Sequence, residues 1–430
     1  MMTAGIFGLL FVFILAGLPI AVCMGLTAVI VFVLLGQVDV LLMLPARMYS
    51  GTTSFTLLAI PFFILAGNLM NTGGMTRRLI HFAQCLIGHI RGGLGHVTVV
   101  TNMIMAGMSG SAVADATGTG VILIPAMESA GYTRTFGAAL VGAASTIGPI
   151  IPPSIPFVIF GSITGTSVGR LFLGGFVPGV LMGVFLMVTV AILAKRRGYP
   201  AGGRASWREF WVSAFQATPA WGAPIIIIGG ILGGIFTPTE AAVAASVYAL
   251  VLGMFIYREV TLADLRRVMW ETIQSTVQVM FIISAASIFG WLLVRQQVPT
   301  AIINGLMSLT STPWVVLLII NVILLILGCF MEAIAIMLLT IPVFMPLIDK
   351  VGIDPVHFGI VMTLNLMVGL LTPPVGMCLY AVSAISRVPL WTLARELVPY
   401  IIALTGCLFL ITYVPGLVLW VPNLIMGAAR

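Results

Sequence analysis

The chain has 430 residues, 60% of them hydrophobic and only 7% charged, where soluble domains carry about 25% charged residues. That excludes a soluble enzyme or a separate soluble domain, since the longest polar interval, Lys195 to Arg208, is only a loop. The net charge of +7 is no nucleic-acid signature, because the basic residues crowd two short loops.

In chain order, the first apolar run, Ile6–Leu35, exceeds the roughly 20 residues that a spanning helix needs. No basic residue precedes Arg47, so the first helix is expected to enter from outside. Its length and the lack of a basic leader argue against a cleaved signal peptide. A helical hairpin is expected near 95–127, interrupted at MSGSAVADATGTG from Met108. Pro125 marks its exit and Gly131 a turn, and a helix near 134–168 is then broken at GPIIPPS from Gly148. Phe172–Ala194 is a further apolar run, followed by a basic loop, 196–208, flanked by Lys195 and containing Arg196, Arg197, Arg204 and Arg208. Arg258, Arg266 and Arg267 crowd a second loop. The positive-inside pattern makes both loops cytoplasmic, with two crossings between them, Pro219–Phe236 and Pro238–Tyr257. Glu240, in TPTEAA, reads as a helix-capping carboxylate. A long apolar helix ends at Arg295, and Val315–Leu327 leads into a second hairpin, near 314–347, with Glu332 at its interruption. A second broken helix, near 356–388, carries GLLTPPVG from Gly369. About ten to twelve crossings plus re-entrant segments fit this length.

The two breaks coincide when the sequence is displaced by 221 positions, with Pro152 on Pro373, Pro153 on Pro374 and Gly148 on Gly369. The same displacement lays Gly107 on Gly328, Pro125 on Pro346, Gly131 on Gly352 and Pro178 on Pro399. Backbone punctuation kept at one spacing indicates internal duplication. The fold expected is an all-α polytopic membrane protein of two repeat halves, 1–195 and 209–430. Transporter precedent makes the repeats inverted, with broken helices at a mid-membrane site.

Proline removes an N–H and blocks the bond one turn back, leaving carbonyls without partners. Carbonyls of Gly148, Ile151 and Pro153, and of Gly369, Thr372 and Pro374, are therefore candidates to hold a desolvated alkali cation. The plainer alternative is a proline kink satisfied by hydroxyls or water. Ser109 and Ser111 sit where a hairpin's second arm points its positive start at an anion, although small-residue helix packing would use the same residues. Asp115 is an ionisable group in an apolar setting, which marks function, and it is expected with Ser109, Ser111, Arg295 and Glu332 among the substrate-binding residues. Arg295 suits bidentate carboxylate recognition or simply snorkels to the interface. Glu332 could pair with a base, hold a cation or carry a proton. The five cysteines and four histidines show no metal-ligand spacing.

Together, GMSGSAVADATGTG, GPIIPPS, GIFTPTEAA, GIDPVHFG and GLLTPPVG resemble the large membrane (M) subunit, of DctM type, of tripartite ATP-independent periplasmic (TRAP) transporters. The resemblance runs over nearly the full length. It implies a sodium-driven importer of organic acids in the bacterial inner membrane, working by an elevator-type motion. It further implies two partners, a small four-helix membrane subunit (Q type) and a periplasmic substrate-binding protein (P type). Carried over by position, it points to Ser109, Ser111, Arg295 and Glu332, and places sodium near the two hairpins and the breaks, with Ser109 and Gly328 on the hairpin side. Two departures stand out: Ala112 replaces the last serine of a signature that often reads SGSS, and Glu332 stands where aspartate is common.

Competing classes have less support. GxSG at Gly107–Gly110 with His357 would make an intramembrane serine protease, but the motif is short and leaves the repeat unexplained. A passive channel or uniporter also lines its pore with broken helices. No GxxxxGK[ST] is present for ATP-driven transport.

Overall fold

A computed structural model describes residues 2–310 and 312–427. The first apolar run is two helices and not one, α1 (Met2–Leu15) and α2 (Ile20–Leu34). Gly17, at φ +80°, turns the chain, and Pro19 cannot continue a helix it follows. Next come α3 (Leu44–Thr52), α4 (Ala59–Thr72) and α5 (Met75–Ile87). A hairpin follows, α6 (Gly93–Ser109) and α7 (Ala112–Ser129). The interrupted pair α8 (Arg134–Ser145) and α9 (Ile155–Thr164) leads to the long α10 (Val168–Arg197). The middle of the chain forms α11 (Trp207–Ala217), α12 (Gly222–Leu232), α13 (Pro238–Val251) and α14 (Leu262–Arg295). After α15 (Val298–Leu309) come a second hairpin, α16 (Pro313–Gly328) and α17 (Ala333–Val351), and a second interrupted pair, α18 (Pro355–Gly369) and α19 (Met377–Ser386). The chain closes with α20 (Leu390–Tyr413) and α21 (Gly416–Met426).

Among the described residues, seven stretches are long and apolar enough to cross a membrane, and eight shorter apolar helices accompany them. The protein is a multi-pass membrane protein. The crossing expected at Pro219–Phe236 instead belongs to a continuous helical stretch, Trp207–Leu232. Ser206 starts that stretch early by accepting the Glu209 N–H, an N-cap that satisfies an otherwise orphaned donor. Glu240 closes a capping box with Thr237, as its sequence context indicates.

Helices α6–α10 return as α16–α20, each start within one residue of the 221-position displacement: Ala112 falls on Ala333 and Arg134 on Pro355. Both breaks contain a cis Pro–Pro bond, Pro152–Pro153 and Pro373–Pro374. By packing, the helices form two groups. In one, α2, α3 and α4 lie on α14, while α4 and α12 lie on α13. In the other, α6–α10 pack among themselves and against α16–α21. Helices α5 and α11 carry the chain between the groups and lie against each other, and the groups meet where α14 touches α17 and α4 touches α6 and α9.

Candidate functional site

The tip of the first hairpin is shaped by three residues. Gly110 takes φ +62°, a left-handed conformation that costs a residue with a side chain about 1–2 kcal/mol. Ser111 is extended and caps α7, its hydroxyl accepting the Ala114 N–H at 3.4 Å. Ser109 closes α6, and its hydroxyl accepts the Ser111 N–H at 3.3 Å. In the second hairpin Glu332 holds the same capping position before α17, extended but without a side-chain cap bond. Each tip rests on the break of its own half. A Cβ on Gly110 would lie 2.7 Å from the Pro153 carbonyl oxygen, and one on Gly328 would lie 2.9 Å from the Gly369 Cα. The Val375 N–H donates to the Cys329 carbonyl at 3.0 Å. Only glycine allows these backbones to approach so closely.

Both tips and both breaks face a cavity of about 370 Å³. Ser111–Ala114, Ile155 and Pro156, Glu332–Ile334, and Met377 line it. These are the starts of α7, α9, α17 and α19, so four helix N-termini converge on one space. Each brings unpaired N–H groups and about half a positive charge. The helices that precede them, α6, α8, α16 and α18, end at the same tips and breaks, bringing carbonyl oxygens. The arrangement therefore offers an anion site backed by oxygen-rich turns suited to a hard cation. The far wall comes from the other helix group, with Gly67 and Asn68 on α4 and Ser275, Gln278 and Val279 on α14.

Ser109, Ser111 and Glu332 thus share one cavity. Glu332 is half-buried there; its carbonyl accepts the Ile336 N–H at 3.1 Å, but among the described residues its carboxylate makes no hydrogen bond or ion pair. Asp115 does not line the cavity; it is fully buried behind the first tip. One of its oxygens accepts a short bond from the Ser109 hydroxyl, and the other, Oδ2, has no partner and faces the Cα of Gly148. Among the described residues the carbonyls of Gly148, Ile151, Pro153 and Pro374 accept no hydrogen bond, whereas the Gly369 carbonyl accepts the Thr372 N–H at 3.0 Å. The Thr372 hydroxyl donates to Val368 at 3.0 Å. An unpartnered buried carboxylate oxygen beside carbonyls lacking donors is a donor set that fits a hard cation.

Arg295 is not brought to this cavity. It is the exposed last residue of α14, its Nε donates to Gln37 at 3.0 Å, and its guanidinium lies 5.7 Å from the Trp291 ring centre. Sixteen residues of helix separate it from Val279 on the cavity wall, about 24 Å at 1.5 Å per residue. Sequence reasoning missed Asn68, Ser275 and Gln278. Their signal was a polar side chain inside an apolar helix, with Ser275 and Gln278 spaced to share one face.

The family model described as "Tripartite ATP-independent periplasmic transporter, DctM component" matches residues 7–417. The chain is 42% identical over 423 residues to the sialic acid TRAP transporter large permease protein SiaM of Vibrio cholerae, covering 98% of each chain. It is 43% identical over 393 residues to the C4-dicarboxylate TRAP transporter large permease protein DctM of Pseudomonas aeruginosa, covering 91% of this chain and 92% of that one. A third relative, the 2,3-diketo-L-gulonate TRAP transporter large permease protein YiaN of Escherichia coli, is 40% identical over 403 residues, covering 94% and 95%. In fold, the chain is similar to the YdaH transporter of Alcanivorax borkumensis, with a TM-score of 0.65 at 15% identity over 89% of each chain. It is also similar to MtrF of Neisseria gonorrhoeae, with a TM-score of 0.58 at 13% identity over 88% and 84%. With a matching model over nearly its whole length, relatives near 40% identity and a transporter fold, the chain belongs to the DctM family, the large permease component of tripartite ATP-independent periplasmic transporters.

Proposed function

We propose that this protein imports a small carboxylate across the bacterial inner membrane, driven by the sodium gradient. The observation that carries the reading is the convergence of four helix starts on one cavity, an arrangement that attracts an anion with backbone dipoles alone. The relatives' names, for sialic acid, C4-dicarboxylate and 2,3-diketo-L-gulonate, agree with an acid as substrate. Ser111 offers its hydroxyl to the carboxylate, while Asn68, Ser275 and Gln278 meet the rest of the molecule from the other wall.

Sodium is cargo here. One ion is held at the first break by carbonyls of Gly148, Ile151 and Pro153, with Ser109 at the tip and Asp115 behind it. A second is held by Gly328, Gly369, Thr372 and Pro374. Binding draws each tip against its break and completes the floor of the cavity. Glu332 then lies between a cation and the substrate, which offsets its repulsion of a carboxylate. Coupling follows because loaded and empty forms differ in their preference for crossing. The group α6–α10 with α16–α21 moves as a body against α1–α4 and α12–α14, an elevator motion between inverted repeats. A small four-helix membrane subunit braces the stationary group, and a periplasmic binding protein delivers substrate.

Uptake of labelled organic acids into proteoliposomes holding this chain and its small partner, with the binding protein outside, tests the reading. Uptake that needs both an inward sodium gradient and the binding protein supports it. Uptake indifferent to sodium and to the binding protein would show a channel or uniporter instead.

A further inference from the structure

Helices α5 and α11 are two of the three connections between the helix groups, the third being α15, and they lie against each other. Phe82 on α5 and Phe210 on α11 hold them together, with ring centres 6.0 Å apart. Leu79, Ile80 and Ala83 bury one face of α5. His81 and Cys85 lie one turn apart on another face, where His81 is exposed and Cys85 half-buried. The third helical residue of α11 is Glu209, whose N–H is fixed by the Ser206 hydroxyl at 3.1 Å. The ligand atoms of His81, Cys85 and Glu209 all lie within 4.8 Å of one another. Among the described residues, none of these three side chains is committed to a hydrogen bond or ion pair.

We propose that His81, Cys85 and Glu209 bind a borderline-soft divalent cation, zinc by its chemistry, which pins α5 to α11. An imidazole nitrogen, a thiolate and a carboxylate are zinc's ordinary ligands at about 2.0–2.3 Å, and three protein ligands leave a fourth position for water. The separations, all within 4.8 Å, are close to those of a zinc site, and the side chains that must close them lie exposed or half-buried at the surface. The thiolate and carboxylate neutralise the ion's charge. Sulfur and nitrogen donors disfavour magnesium and calcium, which take oxygen ligands. Because two of the three connecting helices would be tied at one point, the bound ion restrains motion of one helix group relative to the other. Only that restraint rests on the transport mechanism proposed above; the binding site does not.

Titrating cobalt(II) into the purified full-length protein in detergent tests the site without any transport assay. A thiolate-to-cobalt charge-transfer band is expected in the wild type, lost in Cys85→Ser and weakened in His81→Ala and Glu209→Gln. Cys23, Cys378 and Cys407 are buried in the core, and Cys329 is half-buried with its thiol donating to the Leu325 carbonyl, so a band that survives in Cys329→Ser and is lost in Cys85→Ser reports Cys85. No band in the wild type, or a band surviving in Cys85→Ser, overturns the site. In proteoliposomes, micromolar zinc should slow uptake by the wild type, while Cys85→Ser takes up substrate normally and ignores zinc. Zinc inhibition that persists in Cys85→Ser, or cobalt binding without any zinc effect on wild-type uptake, overturns the restraint.

Discussion

Asp115→Asn is the sharpest test of the first cation site. The substitution keeps size and shape, and the amide oxygen can still accept the Ser109 hydroxyl. What changes is the charge behind the tip, whose free oxygen faces Gly148. With a sodium ion at the Gly148 carbonyl about 5 Å away, a carboxylate contributes about 3 kcal/mol of attraction at an effective dielectric of 20. At 1.4 kcal/mol per tenfold, that is about a hundredfold rise in the sodium concentration for half-maximal uptake. The measurement is sodium-dependent initial uptake rate in proteoliposomes at saturating substrate. Ser109→Ala is the companion variant: it keeps the charge but removes a hydroxyl assigned to the same ion and a hydrogen bond to a charged group, worth about 1.5–3 kcal/mol, so sodium half-saturation should rise less than in Asp115→Asn. A sodium half-saturation for Asp115→Asn close to that of the wild type would refute the reasoning and remove the carboxylate from the cation site.

Three further outcomes are expected. Gly110→Ala forces a side chain into a left-handed conformation against the Pro153 carbonyl; it should cost about 1–3 kcal/mol, seen as a lower melting midpoint in detergent together with a weaker sodium response. Gln278→Leu removes a polar group from the wall that faces the substrate, so KM for substrate should rise about tenfold, one lost hydrogen bond's worth, with sodium half-saturation unchanged. Arg295→Ala should leave direct binding of substrate to the detergent-solubilised protein unchanged, because the guanidinium bonds to Gln37 far from the cavity; weakened equilibrium binding would bring Arg295 back to the site.

The hairpin tips and the breaks were legible because glycine and proline act on the backbone where they stand. Gly110 and Gly148 allow a left-handed turn or a close approach that a side chain would block, and Pro153 and Pro374 fix φ and remove a donor whatever surrounds them. The first apolar run, Ile6–Leu35, reads by its length as one span, whereas Gly17 and Pro19 divide it into α1 and α2. Nothing local says which face of α4 or α14 meets the hairpins, so Asn68 and Gln278 emerge only from the packing of one helix group on the other. Arg295 shows the complementary case. Its place at the end of a long helix was plain in the sequence, but the distance along that helix to the cavity was not. His81 and Cys85 likewise acquire Glu209 as a neighbour only once α5 and α11 are laid together.

The four helix starts that meet in the cavity have a consequence for how such a protein can diverge. A peptide dipole has no titrating proton and no side chain to substitute, so the pull on negative charge persists across pH and survives changes of residue at the tips. On the proposed reading, preference among acids is free to drift through a few positions on α4 and α14, which can be altered without dismantling either the proposed ion sites or the hairpins. A single chassis of this kind can serve many substrates, with its attraction for anions written in the main chain and its taste written on the opposite wall.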